Sequence, residues 1–294
     1  MKNKILKMGL LGLISTSLYA GEVQVGTGTF NIKGGFIGLD QSTSADIKTY
    51  SLVEQHAPLF GSKSWFYKYN LTWYDSKDAV DAQNSINTTS GTLGSSTTSI
   101  VTPSVDYRLQ GLDVNLVLGK DFMHKSENDY VGAGVMLGIS IPWIDSKKDS
   151  DNDDSTSDSN MNNMPDSKTE IYTYKIGPSI TGRRSLNSLF SIYGSATYAY
   201  QTGTFKNTEV DSDFTVNGTF QEYDFGIRFQ PVSYNKKIGF LTFSPRFYAT
   251  LGYRYTSWDL DDINIDITGT NTSFTQTDFN MNSSITYFGL GYSF

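Results

Sequence analysis

Cysteine is absent from the 294 residues, which excludes disulfide stapling and any lipid anchor on an N-terminal cysteine. A basic excess is missing too. The formal net charge is −7, whereas a nucleic-acid-binding surface normally carries a basic footprint, so no nucleic-acid partner is expected. Histidine is scarce: only His56 and His124 could act as imidazole bases. Beyond residue 20 no apolar run approaches the roughly 20 residues that a membrane-spanning helix needs. Any residence in a membrane must therefore come from strands.

What is present fits that route. The chain holds 27 Gly, 19 Tyr and 18 Phe, with aromatics at 14% and charged residues at 18%. Such a composition suits side chains standing on a pleated surface. At the N-terminus Lys2, Lys4 and Lys7 precede an apolar core at 8–14 and a small-residue exit at 15–20. That order is the pattern of a secretory signal peptide, cut after Ala20, and its core is too short to span a bilayer. Residues 1–20 are thus expected to be removed and 21–294 to form one domain.

The end of the chain carries the strongest pattern. Residues 283–294 read SSITYFGLGYSF, with Phe288, Leu290, Tyr292 and Phe294 on alternate positions up to the last residue. As an open edge, such a strand would template aggregation. The hazard vanishes if it closes a barrel and turns its apolar face to lipid. This ending resembles the C-terminal strand of bacterial outer-membrane β-barrel proteins, which finish on Phe. The resemblance implies recognition of that strand by the barrel-assembly machinery. It also implies residence in a Gram-negative outer membrane, among its lipids and lipopolysaccharide.

Interior segments show the same alternation. Trp65, Tyr67, Tyr69, Leu71 and Trp73 alternate with Phe66, Lys68, Asn70 and Thr72, apolar toward lipid and polar toward a lumen. Phe30, Ile32 and Phe36 mark a first strand over 27–39, followed by a tip at 40–44 and a second strand over 45–56 whose facing is ambiguous. Parity switches once, between Leu109 and Leu112 at Gln110-Gly111. Either a tight hairpin or one long strand with a β-bulge would produce it. Bacterial barrels have even strand numbers and short periplasmic turns, and only the bulge gives an even count. The expectation is an all-β, antiparallel up-and-down transmembrane barrel of about ten strands, with eight or twelve as the neighbouring counts. Its outer loops fall at 40–44, 75–102, 144–168, 203–217 and 259–271, and its periplasmic turns at 57–62, 123–128, 182–188 and 231–237. Ile263, Ile265 and Ile267 suggest a small hairpin above the membrane. Two aromatic girdles follow, with Trp73, Trp143, Tyr200 and Tyr255 at outer ends and Trp65, Phe190, Phe229 and Phe294 at inner ends.

On this register Lys68, Asn70, Asp113, Asn115, Lys175, Glu222, Asp224, Arg228, Arg246 and Arg254 point inward. A ten-stranded barrel is close in size to those filled by their own side chains. Mixed charges facing a narrow interior need partners. The leading expectation is a monomer with a filled or narrow lumen, serving structural or surface-interaction roles. A small-solute porin with a charged constriction is the alternative, and a surface hydrolase the third reading. Omptin-type surface proteases resemble this architecture in strand number but carry catalytic Asp and His near the outer rim, whereas His56 and His124 fall beside periplasmic turns. His124-Lys125-Ser126 has the His-x-Ser spacing of outer-membrane lipid A deacylases, at the wrong leaflet. No catalytic residue and no cofactor is expected. Asp149, Asp151 and Asp153 have the one-three-five spacing of a calcium loop, but Asp154 stands where Gly is needed and Asn160 where the bidentate Glu belongs. The acidic composition there suits a solvated outer loop.

Overall fold

Period-two patterning produces ten long strands in the computed structural model. It describes residues 21–292 apart from 37–38, 63, 77–79, 83–84, 87–99, 102–104, 124–128, 149–166, 208–209, 233–234, 239–240, 245, 267–272 and 277–278. The strands are β1 (Gly21–Phe36), β2 (Leu39–Pro58), β3 (Trp65–Ser76), β4 (Val105–Asp121) and β5 (Tyr130–Lys148). They continue with β6 (Ser167–Ser185), β7 (Phe190–Asn207), β8 (Val210–Phe229), β9 (Phe247–Asp266) and β10 (Phe279–Tyr292). Each pairs antiparallel with the next, and β10 returns to β1 from Gly21↔Tyr292 to Gly34↔Phe279. The ring is closed, so no long strand leaves an unpaired edge.

Both chain ends of the barrel lie at one rim, here the near rim. A twenty-residue strand such as β2, tilted about 40°, stands roughly 50 Å tall, about twice the apolar band of an outer-membrane barrel. The excess extends the far rim. There, Val80–Ala82 adds to β4 and Ser273–Gln276 adds to β9, the latter being the extra hairpin that Ile263 and Ile265 suggest.

The exterior is apolar where lipid would lie. Val135, Ile180, Leu251 and Phe288 are all more than half exposed, an arrangement that water would penalise and hydrocarbon favours. Trp73 and Trp143 meet edge-on across β4, with ring centroids 5.1 Å apart, and Tyr223 stacks with Tyr255. One outward step beyond Trp73, Asp75 pairs with Arg108 at 2.7 Å, so the apolar band ends there. At the near rim Trp65 is exposed and Phe190 packs on Phe229. Tyr200 donates its hydroxyl to Asn217 at 2.9 Å at the far girdle. A closed barrel wrapped in such a band is an outer-membrane β-barrel. Placing arginine at Leu251, in mid-band, should therefore cost about 2–4 kcal/mol, read as a lowered urea midpoint in lipid vesicles. An unchanged midpoint would mean that this face meets water.

Four expectations are corrected. Residues 105–121 form one strand, as expected, but without a bulge at Gly111, since the register to β3 and β5 runs unbroken. The apparent parity switch arises because Leu109 points inward, 4% exposed. Residues 40–44, expected as a tip, are strand, and so are 203–207 and 210–217 of the tip expected at 203–217, because Phe36 pairs with Leu39 and Asn207 with Val210. The strand expected over 238–258 starts only at Phe247, while Lys236–Ile238 and Leu241–Phe243 form a separate hairpin. Arg246 accordingly sits exposed in the turn before β9 and is not a lumen residue. The terminal strand closes the ring on β1, with Gly21 opposite Tyr292 and Phe30 opposite Ser283. Phe294 itself lies outside the described residues.

Candidate functional site: the filled lumen

Closure of ten strands leaves a bore too narrow for every inward position to be bulky, and the sequence alternates large with small. Gly111 faces Tyr74, whose ring carbon would lie 2.0 Å from an added Cβ. Gly252 likewise makes room for the Tyr287 hydroxyl, which would stand 2.5 Å from a Cβ there. The inward side chains then stack in three layers from far rim to near rim.

The far layer is apolar. Phe30 of β1 stacks on Tyr74 of β3 and Trp258 of β9, with centroids 5.4 and 5.6 Å apart. Phe220 of β8 meets Trp258 edge-on at 5.8 Å. Ile47, Leu109, Ile171, Leu260 and Met281 complete the cluster, all buried. The Ile47 parity that left β2 ambiguous is explained, because Ile47 joins this inward cap while Tyr50 faces out.

The middle layer is polar and spans the bore. Arg254 of β9 donates from Nε and Nη2 to one oxygen of Asp224 on β8, at 3.3 and 3.0 Å. It also donates from Nη2 to Gln24 of β1 at 2.9 Å and from Nη1 to Thr72 of β3 at 3.2 Å. The other Asp224 oxygen accepts the Tyr287 hydroxyl at 2.5 Å, and Tyr287 and Tyr193 share a hydroxyl contact at 2.7 Å. A second node surrounds Asp113, which accepts from Lys175 at 2.5 Å, from Asn115 at 2.7 Å and from the Ser140 hydroxyl. Lys175 also lies over the Phe220 ring at 3.8 Å, and Trp258 Nε1 donates to Ser140 at 2.9 Å. These two contacts tie the polar layer to the cap above it. Asn115 reaches Glu222 at 3.4 Å. Lys68 crosses from β3 to donate to Ser195 of β7 at 2.6 Å. A serine beside a lysine is one nucleophile–base pairing, but Lys68 is 3% exposed, and a substrate and water must reach such a pair.

The near layer mixes rings and charges. Arg228 lies 3.5 Å over the Tyr248 ring, and Arg183 lies 5.4 Å from the Tyr130 ring. His56 stacks between Tyr130 and Phe66, with its Nε2 3.4 Å from Asp121. A register irregularity between Glu54 and Ala57 buries Glu54 beside them.

Of the inward residues expected from sequence, Lys68, Asn70, Asp113, Asn115, Lys175, Glu222, Asp224, Arg228 and Arg254 all face the bore and are buried. Arg246 alone does not. Sequence reasoning missed Glu22 and Gln24, which precede the expected start of β1, and Arg183, which lay in an expected turn. It also missed Tyr193, Trp258 and Tyr287, aromatics on the polar parity. Their signal was there, because each sits two or four residues from a charged or small inward neighbour. His124, Asp149, Asp151 and Asp153 lie outside the described residues, so neither the His-x-Ser spacing nor the calcium-like spacing gains a geometry. His56 falls near the near rim, as expected.

No family model matches the chain, and no curated protein matches it. Solved structures similar to it include the outer membrane protease OmpT from Escherichia coli, at 11% identity and a TM-score of 0.48 over 95% of this chain and 98% of that one. The translocator domain of autotransporter NalP from Neisseria meningitidis is similar at 10% identity and a TM-score of 0.34, over 100% and 95%. Ail, the attachment invasion locus protein of Yersinia pestis, is similar at 12% and 0.30, over 92% and 99%. Likenesses this remote assign no activity, so the reading rests on the bore itself.

Proposed function

We propose that this outer-membrane barrel is a non-conducting integral protein whose working surface is its far rim. In this reading the bore is sealed by its own side chains. The far rim, with its long strand extensions and connections, stands outside the cell and serves structural or interaction roles among lipopolysaccharide and surface partners. The protein acts as a monomer, reaches the membrane through the export signal at 1–20, and is inserted through its terminal strand. One observation carries the sealing: a single guanidinium, Arg254, bonds to β1, β3 and β8 at once. Side chains that reach from facing walls to one guanidinium leave little open section at this level, which supports a sealed bore. The apolar cap above it adds a second barrier, because ions do not cross a dry hydrophobic constriction.

The purified, folded protein in planar bilayers should give no reproducible conductance steps. Steady unitary steps from protein of proven heat-dependent gel mobility would overturn the sealed reading and favour the small-solute pore.

A further inference from the structure

The lipid-facing wall contains a groove floored by glycine. It measures about 400 Å³ and opens on β5, β6 and β7 near the near rim. Its floor is Gly182, which pairs with Gly194 on one side and Val131 on the other. Ile192 closes its lower edge, with Arg184 and Asp129 beside it. Glycines on the bore-facing parity are sterically required: a Cβ at Gly28 would sit 1.8 Å from the Ser284 carbonyl oxygen, and one at Gly203 1.6 Å from that of Tyr172. At Gly194 the nearest atom would be 3.6 Å away, and at Gly182 3.3 Å, and neither residue has a positive φ. A side chain would fit at Gly194 without strain, whereas one at Gly182 would press on the Tyr130 carbonyl oxygen, so Gly194 is the position at which the hollow could have been filled.

The edge of the groove is charged with both signs. Arg184 Nε stands 3.5 Å from Asp129 Oδ1, and the Arg184 side chain is 66% exposed. From Tyr174 to Arg184, both outward on β6, the strand climbs ten residues, or roughly 25 Å of height at a tilt of about 40°. Tyr174 lies at the far girdle, so Arg184 and Asp129 lie at headgroup level in the opposite leaflet.

We propose that this groove holds one zwitterionic glycerophospholipid of the near-rim leaflet. An acyl chain occupies the hollow over Gly182 and Gly194, the phosphate lies on Arg184, and the headgroup ammonium lies on Asp129. The inference depends on which surface meets lipid and is independent of whether the bore conducts.

Native mass spectrometry of the protein released from phosphatidylethanolamine bilayers tests it. One phosphatidylethanolamine should stay bound under activation that strips other lipid. Gly194→Leu, which fills the hollow, should reduce the retained fraction about tenfold, as should Arg184→Gln, a loss equivalent to about 1.4 kcal/mol. Ala249→Leu adds the same bulk to an outward position of β9 and should leave retention unchanged. If Gly194→Leu loses heat-dependent gel mobility, Arg184→Gln decides alone. Retention that is absent in the native protein, equal in all variants, or specific to lipid A would overturn the proposal and leave only ordinary boundary lipid at this face.

Discussion

Arg254→Met should lower the stability of the folded barrel by about 3–5 kcal/mol, the cost of removing one partner from a buried ion pair. Asp224 would keep its charge in the bore with only the Tyr287 hydroxyl remaining. Gln24 would lose its donor as well, and Thr72 one of two, since Ser51 still reaches it. Methionine keeps most of the arginine's volume, so a cavity contributes little and the loss reads as electrostatic. The double variant Arg254→Met/Asp224→Val removes the stranded charge as well, because an apolar pair of similar volume is often neutral relative to the ion pair it replaces. Urea titration in vesicles should show the single variant well below wild type and the double variant recovering part of the loss, the remainder being the bonds to Gln24, Thr72 and Tyr287 that the double variant does not restore. If the single change costs less than about 1 kcal/mol, as at a solvent-exposed pair, water fills the bore at this level and the sealed reading fails. The measurement thus probes the seal without any need to detect a current.

The exterior of this barrel was legible in the sequence because lipid imposes a rule on it. Most outward positions between the girdles are apolar, so runs such as Val131 to Ile141 and Tyr223 to Phe229 announce both strand and facing, with small polar residues such as Thr27 and Thr286 intervening. The interior obeys no such rule. Where strands rise past the membrane, the inward face can be apolar too, and parity then stops reporting which side is which. Leu109 shows the failure plainly: an apolar residue on the wrong parity suggests a bulge, while in the fold it belongs to the cap with Tyr74 and Ile171. Phe30 and Ile47 mislead in the same way. Arg246 failed for a different reason, since its inward facing assumed an unbroken strand through 238–258. Pro245 was a cue against that, lacking the amide donor a central strand needs. Arg183 was lost because GRRSLNS reads as a turn, although β6 continues to Ser185. The charged inward set survived these errors because a charge has only one tolerable direction in a lipid-facing wall.

Trp258→Ala should cost about 3–5 kcal/mol, the range for removing a large buried aromatic. Its ring is the common neighbour of Phe30 and Phe220, so truncation leaves a void that rigid strands cannot collapse to fill. Trp258→Phe separates packing from polarity. It retains most of the apolar contact but loses the Nε1 bond to Ser140, and should cost about 0.5–1.5 kcal/mol, the worth of one hydrogen bond, since the Ser140 hydroxyl keeps its bond to Asp113. Neither change should make the barrel conduct. Trp258 lies four residues farther toward the far rim than Arg254 on β9, so opening the cap exposes the Arg254–Asp224 node without removing it. The two layers therefore make distinguishable contributions: loss of the cap should weaken folding and leave the bore closed, and current should require the polar node to go as well. Conductance steps from Trp258→Ala alone would place the seal in the aromatic layer and reduce the polar network to a wet lining beneath it. Silence in Trp258→Ala, with steps appearing once Arg254→Ala is added, would place the seal in the network.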